Sequence, residues 1–227
     1  LHLLQSEESI IFLGKSIVHS KDSSLEMHCD RGRYNGYTRS GWFGGTLGSS
    51  TAWVRQDDVF LQGDSLVLPL DSLAPREAWG HVVLRDTAEN WMLEGEQAKQ
   101  FKKSLKSERG MSFLFGSEDL PARLMDASGS DTLYLQADTL QLESHFIRAW
   151  PRVKLEQGSA VAICDTLIWN EVDSLIDLKN EPHLWLEGQF LRADSVTLTM
   201  RRNSPDRLHA WGHVGLMHPA GDSCYQQ

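Results

Sequence analysis

The pentapeptide Ala78-Trp79-Gly80-His81-Val82 returns unchanged at Ala210-Trp211-Gly212-His213-Val214, and a third version, Ala149-Trp150-Pro151-Arg152-Val153, lies between them. Chance does not readily repeat a Trp-containing pentapeptide in a chain of 227 residues, so the sequence reads as copies of one unit. A second motif recurs in the same way: an apolar residue, any residue, a small residue, an acid, usually Ser or Thr, then two apolar positions one residue apart. It occupies 61–68, 135–142 and 191–198, with looser copies at 162–169, 93–96 and 27–30. The acids stand at 30, 64, 96, 138, 165 and 194, separated by 34, 32, 42, 27 and 29 residues. A period that varies by a few residues predicts stacked coils joined by loops of unequal length.

Inside each unit the apolar pattern has period two. Ala149, Val153 and Leu155 share one face while Arg148, Trp150, Arg152 and Lys154 share the other, and Ala78, Gly80, Val82 and Leu84 repeat the arrangement. Turn-forming clusters such as Gly44-Gly45, Asp57-Asp58, Gln157-Gly158-Ser159 and Asn203-Ser204-Pro205-Asp206 separate the apolar runs. The pattern predicts about three short strands per unit, almost no helix, and one continuous repeat-built domain over 1–227. Aligning Gly212 on Gly80 pairs Gln226 with Glu94, so the array is expected to be a fragment of a longer one.

A formal net charge of -9 argues against nucleic acid as a partner, since phosphate binding calls for a basic surface. No segment reaches the roughly 20 uninterrupted apolar residues of a membrane-spanning helix. The first residues lack a basic stretch followed by a long apolar one, so an export signal is expected to be removed or to lie outside this sequence. Cys29, Cys164 and Cys224 are too few and too scattered for a disulfide framework or a zinc site, and the first two fill the small-residue slot of the acid motif. Lys99, Lys102, Lys103, Lys106 and Arg109 interrupt the alternation, either as a solvated loop or as a contact for an anionic headgroup.

The acid column invites a chemical reading. Calcium-binding repeats carry several carboxylates per turn, whereas here one acid recurs every 27 to 42 residues. Glycosidase-type catalysis needs acids converging in a cleft, and these are evenly spread. The simpler reading is that Asp followed by Ser or Thr caps a bend between strands through hydrogen bonds to the backbone. No nucleophile elbow, phosphate loop, dinucleotide fingerprint or zinc-protease pair occurs. His81 and His213, on the Trp79 and Trp211 face, read as exposed strand residues. Trp53, Trp79, Trp150 and Trp211, each after Ala, form an expected outer stripe that either packs on neighbouring coils or docks a partner.

Taken in order, 131–140, 164–167, Glu181-Pro182-His183-Leu184-Trp185-Leu186, 193–196 and 210–214 resemble the OstA-like (LptA-like) lipopolysaccharide-transport family, most closely its larger Bacteroidota versions. The resemblance covers most of the chain and is weakest from Gly95 to Asp119. It implies an all-β open β-jellyroll or β-solenoid of stacked short antiparallel strands, in the periplasm, with an apolar groove for lipopolysaccharide or lipid A. It further implies end-to-end strand pairing with other lipopolysaccharide-transport proteins or with itself, no cofactor, no metal and no catalysis. The groove-facing positions on this reading are Leu66, Leu68, Val82, Leu84, Leu140, Leu142, Val153, Leu155, Leu167, Val196, Leu198, Val214 and Leu216. A β-helix enzyme acting on polysaccharide and a purely structural scaffold are the alternatives. Unpaired sheet edges at either end would favour association.

Overall fold

The structure, a computed structural model, describes residues 2–6, 9–20, 25–45, 51–69, 75–88, 90–101, 111–129, 131–143, 145–201, 204–217 and 225–226. Every regular element among them is a β-strand, and the strands stack antiparallel. Packing divides the chain into two units, 1–115 and 116–227.

The first unit contains β1 (His2–Ser6), β2 (Ser9–His19), β3 (Leu25–Asn35), β4 (Ser40–Gly44), β5 (Ala52–Gln56), β6 (Val59–Gly63), β7 (Ser65–Pro69), β8 (Arg76–Asp86), β9 (Trp91–Gln100) and β10 (Met111–Phe115). Its long strands change layer midway. Residues 25–28 of β3 pair with β5, whereas 31–35 pair with β4. The ladder between β8 and β9 likewise breaks between Trp79 and Val82, so that β8 lies on β7 at its start and on β6 at its end. Two layers result, and the chain crosses between them at residues such as Asp30, Asp64, Gly80-His81 and Glu96.

The second unit contains β11 (Ala122–Asp126), β12 (Leu133–Ala137), β13 (Thr139–Glu143), β14 (Phe146–Trp150), β15 (Val153–Gln157), β16 (Ala160–Cys164), β17 (Thr166–Asn170), β18 (Leu175–Lys179), β19 (His183–Leu186), β20 (Gln189–Arg192), β21 (Ser195–Arg201), β22 (Ser204–Trp211), β23 (Gly215–Met217) and β24 (Tyr225–Gln226). One layer runs β11-β12-β15-β16-β19-β20-β23-β24. The other runs β13-β14-β17-β18-β21-β22. The described crossings between layers, at Asp138, Pro151-Arg152, Asp165, Asn180-Glu181, Asp194 and Gly212-His213, fall on one edge. The hairpin turns fall on the other, where no described chain joins the layers. Glu187 and Gly188 show why these turns are tight: both hold positive φ, 50° and 79°, as a two-residue turn matched to strand twist requires.

Four expectations are corrected. A unit holds four strand segments rather than three, as β13 to β16 between Asp138 and Asp165 show. The alternating run 149–155 is not one strand, because it bends at Pro151 and Arg152, the latter at φ 57°. Gly80 likewise sits in a break in the ladder at φ 67° and not in a regular alternation. A crossing with an even number of bend residues keeps the inward set in phase, which is why the alternation looked continuous. Finally, Ser204 to Asp206 is strand and not turn, with Pro205 in β22, whose described partner is β21 alone, as suits a residue without an N–H.

Candidate functional site

The two recurring motifs are the two halves of one corner. Ser65 pairs with Trp79, Thr139 with Trp150 and Ser195 with Trp211 on the outer face, while Leu66 faces Ala78, Leu140 faces Ala149 and Val196 faces Ala210 on the inner one. Between them the acid meets the residue that turns the neighbouring crossing. Its backbone N–H donates across the corner, from Asp64 to the Gly80 carbonyl at 2.9 Å, from Asp138 to Pro151 at 3.0 Å and from Asp194 to Trp211 at 3.0 Å. Its carboxylate takes the opposing side chain: His81 Nδ1 lies 3.3 Å from Asp64, Arg152 Nε donates to both Asp138 oxygens at 2.9 and 3.0 Å, and His213 Nδ1 lies 3.1 Å from each Asp194 oxygen. At the fourth corner Asn180 donates to Asp165 at 3.1 Å. The acids therefore brace bends, as expected, but chiefly through side chains, because the corner residue opposite each acid carries a donor over it.

These contacts set the electrostatics. The hydrogen bond from His213 holds the Asp194 carboxyl below its usual range, helped by the His213 backbone N–H. The bond to Asp138 pushes the Arg152 guanidinium up. Asp64, Asp138, Asp165 and Asp194 each have a side-chain partner of their own. Among the described residues no three His, Cys, Asp or Glu side chains gather to hold a metal ion.

The small residue before each acid has a geometric cause. Cys29, Gly63, Gly95, Ala137, Cys164 and Ala193 are all buried, at the line where the two layers meet. A Cβ on Gly63 would stand 3.0 Å from the Trp79 carbonyl oxygen, and one on Gly95 would stand 2.9 Å from Leu114 Cγ. Burial also raises the Cys29 thiol to about 11 and the Cys164 thiol to about 12, so both are protonated, inert space-fillers at neutral pH.

Away from this seam the interior loosens. Leu66, Leu140, Leu167 and Val196, two residues past their acids, are 0–1% exposed. Two residues further, Leu68 and Leu142 are half-buried, while Trp169 and Leu198 remain buried. In the second unit the hairpin edge opens as a small, almost wholly apolar cleft. Leu155, Ala162 and Leu184 line it from one layer and Ile176, Leu198 and Met200 from the other.

Of the positions read as groove-facing, Leu66, Val82, Leu84, Leu140, Val153, Leu155, Leu167, Val196 and Leu198 are buried. Leu68, Leu142 and Val214 are half-buried, and Leu216 is 46% exposed at the last part of its ladder. Only Leu155 and Leu198 of these line the cleft. Ile176 and Met200 were missed because they lie between the conspicuous motifs, and Leu184, although inside the stretch 181–186, was not assigned to the groove face. The alternation of Ile176 with Leu178, and of Leu184 with Leu186, was the available signal.

Trp79 and Trp150 are half-buried and Trp211 is exposed, each just ahead of a corner on the outer face. Trp53 does not join them: it stacks on His28 within the other layer, with centroids 3.9 Å apart and planes at 16°. Lys99 pairs with Glu77 at 3.3 Å. Lys102, Lys103, Lys106, Arg109 and Cys224 lie outside the described residues.

No model of a known protein family matches the chain, and no curated protein matches it. Among solved structures it is similar to LptH of Pseudomonas aeruginosa, the LptA homologous periplasmic component of a lipopolysaccharide transport device. That similarity has 16% identity and a TM-score of 0.43, and covers 50% of this chain and 76% of the other.

Proposed function

We propose that the chain is a non-enzymatic, periplasmic carrier or bridge for an amphiphile of the lipid A or lipopolysaccharide class, its acyl chains entering between the layers from the hairpin edge. The observation that carries this reading is the apolar cleft at the edge where no described chain joins the layers. Acyl chains need a wall of side chains and an unsealed side, and each methylene removed from water contributes about 0.8 kcal/mol. Asp64, Asp138, Asp165 and Asp194 each have a bracing partner at the seam, which favours a structural role for them over catalysis. Passage along joined arrays, by pairing of edge strands with related proteins or with a second copy, belongs to the same proposal.

The test is extraction of the protein purified from a Gram-negative host, with mass spectrometry for lipid A, followed by lipopolysaccharide titration read by Trp fluorescence, Trp185 standing at the cleft. Met200→Glu, at a half-buried position of the lining, is expected to lower affinity about tenfold or more while preserving the folded circular-dichroism signal. Absence of lipid in the extract together with a flat titration would leave the scaffold reading in its place.

A further inference from the structure

Among the described residues, the inner wall of the first unit carries a buried cation at a position where the second unit is apolar. Residues two positions before the Ala-Trp pair are Ile147 and Leu208 in the second unit, and Ile147 belongs to an inward row, Leu142, Ile147, Trp169, Ile176, Leu198 and Leu208, that is apolar throughout. The corresponding residue of the first unit is Arg76. It pairs in register with Gln100, and Gln100 with Ser112, so the matching row there carries a cation, an amide and a hydroxyl. All three share the inward face, as the buried Ala78, Ala98 and Leu114 two residues along each strand show.

Arg76 is only 9% exposed, and Ser112 is buried with it. The guanidinium Nη2 donates to the amide oxygen of Gln56, which reaches it from β5 in the opposite layer. No carboxylate forms an ion pair with Arg76 among the described residues: Glu77 is taken by Lys99, and Asp86 accepts the Ala88 N–H at the far turn of β8. Among the described residues a neutral amide is all that answers this buried cation, an arrangement that is costly unless a counter-charge completes it. Guanidinium offers five N–H donors in a planar fork suited to an oxyanion.

We propose that Arg76, with Gln56, Gln100 and Ser112, is a receiving site for a phosphoryl group at the inner wall of the first unit. An arginine fork with amide and hydroxyl donors suits a tetrahedral oxyanion with several terminal oxygens. The phosphoryl group comes either on a lipid, a source that rests on the carrier function proposed above, or as free phosphate.

The experiment is calorimetric titration of the full chain with inorganic phosphate, with diphosphoryl lipid A in mild detergent, and with the same lipid after removal of its phosphates. Arg76→Met is compared with Arg85→Met, which removes the same charge from the exposed outer face. The expected result is that Arg76→Met weakens the phosphorylated lipid about tenfold or more and leaves the dephosphorylated lipid unchanged, while Arg85→Met alters neither. Equal affinity of Arg76→Met and the parent chain for phosphorylated lipid overturns the proposal and leaves Arg76 as a brace to Gln56. If the parent chain binds neither lipid, the carrier function falls separately. The site then stands on inorganic phosphate, supported by heat that Arg76→Met abolishes and overturned by none or by equal heat in both. Should Arg76→Met fail to fold, Arg76→Lys and Gln100→Leu replace it, with each expected to weaken the phosphorylated ligand alone and an unchanged affinity in both overturning the proposal.

Discussion

Gly80 and Gly212 show how one residue can hold a corner. Each turns with a positive φ, 67° and 79°, and a Cβ would stand 2.3 Å from Asp64 Oδ2 in one case and 2.0 Å from Asp194 Oδ2 in the other. Gly80→Ala is therefore expected to cost on the order of 1–2 kcal/mol from the backbone alone, with more from displacing the carboxylate. In a double-mutant cycle read by chemical denaturation, Asp64→Ala should recover part of the loss, because the clashing group is gone. Strict additivity would refute the steric account. The Asp194 carboxyl is predicted to titrate below its ordinary value of 3.8 and to return toward it in His213→Ala, followed by carboxyl NMR. Since the folded value is depressed, the clamp is present above the unfolded value and is lost as pH falls through the folded one. Both members are exposed, so salt should weaken it. At this scale the acid period was legible from one chain, but the partners were not: pairing of Asp165 with Asn180 has no sequence signature.

At the scale of strands, the gradient from sealed seam to open mouth predicts unequal costs for equal chemistry. Leu167→Ala, at a fully buried position beside the Asp165 corner, should lose about 2–5 kcal/mol. Leu142→Ala, half-buried and farther from its acid, should lose clearly less, since solvent already reaches it. Urea denaturation of the two variants decides this, and equal losses would mean that the interior is uniformly packed. Strand existence and inward phase could be read from the period-two pattern. The crossings hidden inside 149–155 and 76–86 could not, because a two-residue bend leaves that pattern intact and only backbone torsion reveals it.

For the whole molecule, Cys29 and Cys164 supply one buried thiol in each packing unit. With Cys224 replaced by Ser, a thiol reagent at pH 8 is expected to leave both unmodified in the folded protein, since burial holds them near 11 and 12, and to label each only as its own unit opens. Rapid labelling without denaturant would contradict the seam packing. The repeat, the all-β class and the apolar inner face were present in the linear pattern, because period-two burial and recurrent small-acid pairs act over neighbouring residues. Which edge stays open, which side chain braces each acid, and the meeting of Arg76 with Gln56 across the layers were decided only by the folded chain. Those relations join residues 14 to 20 positions apart through strand pairing, and the period-two pattern fixes which face is inward but not which side chains meet.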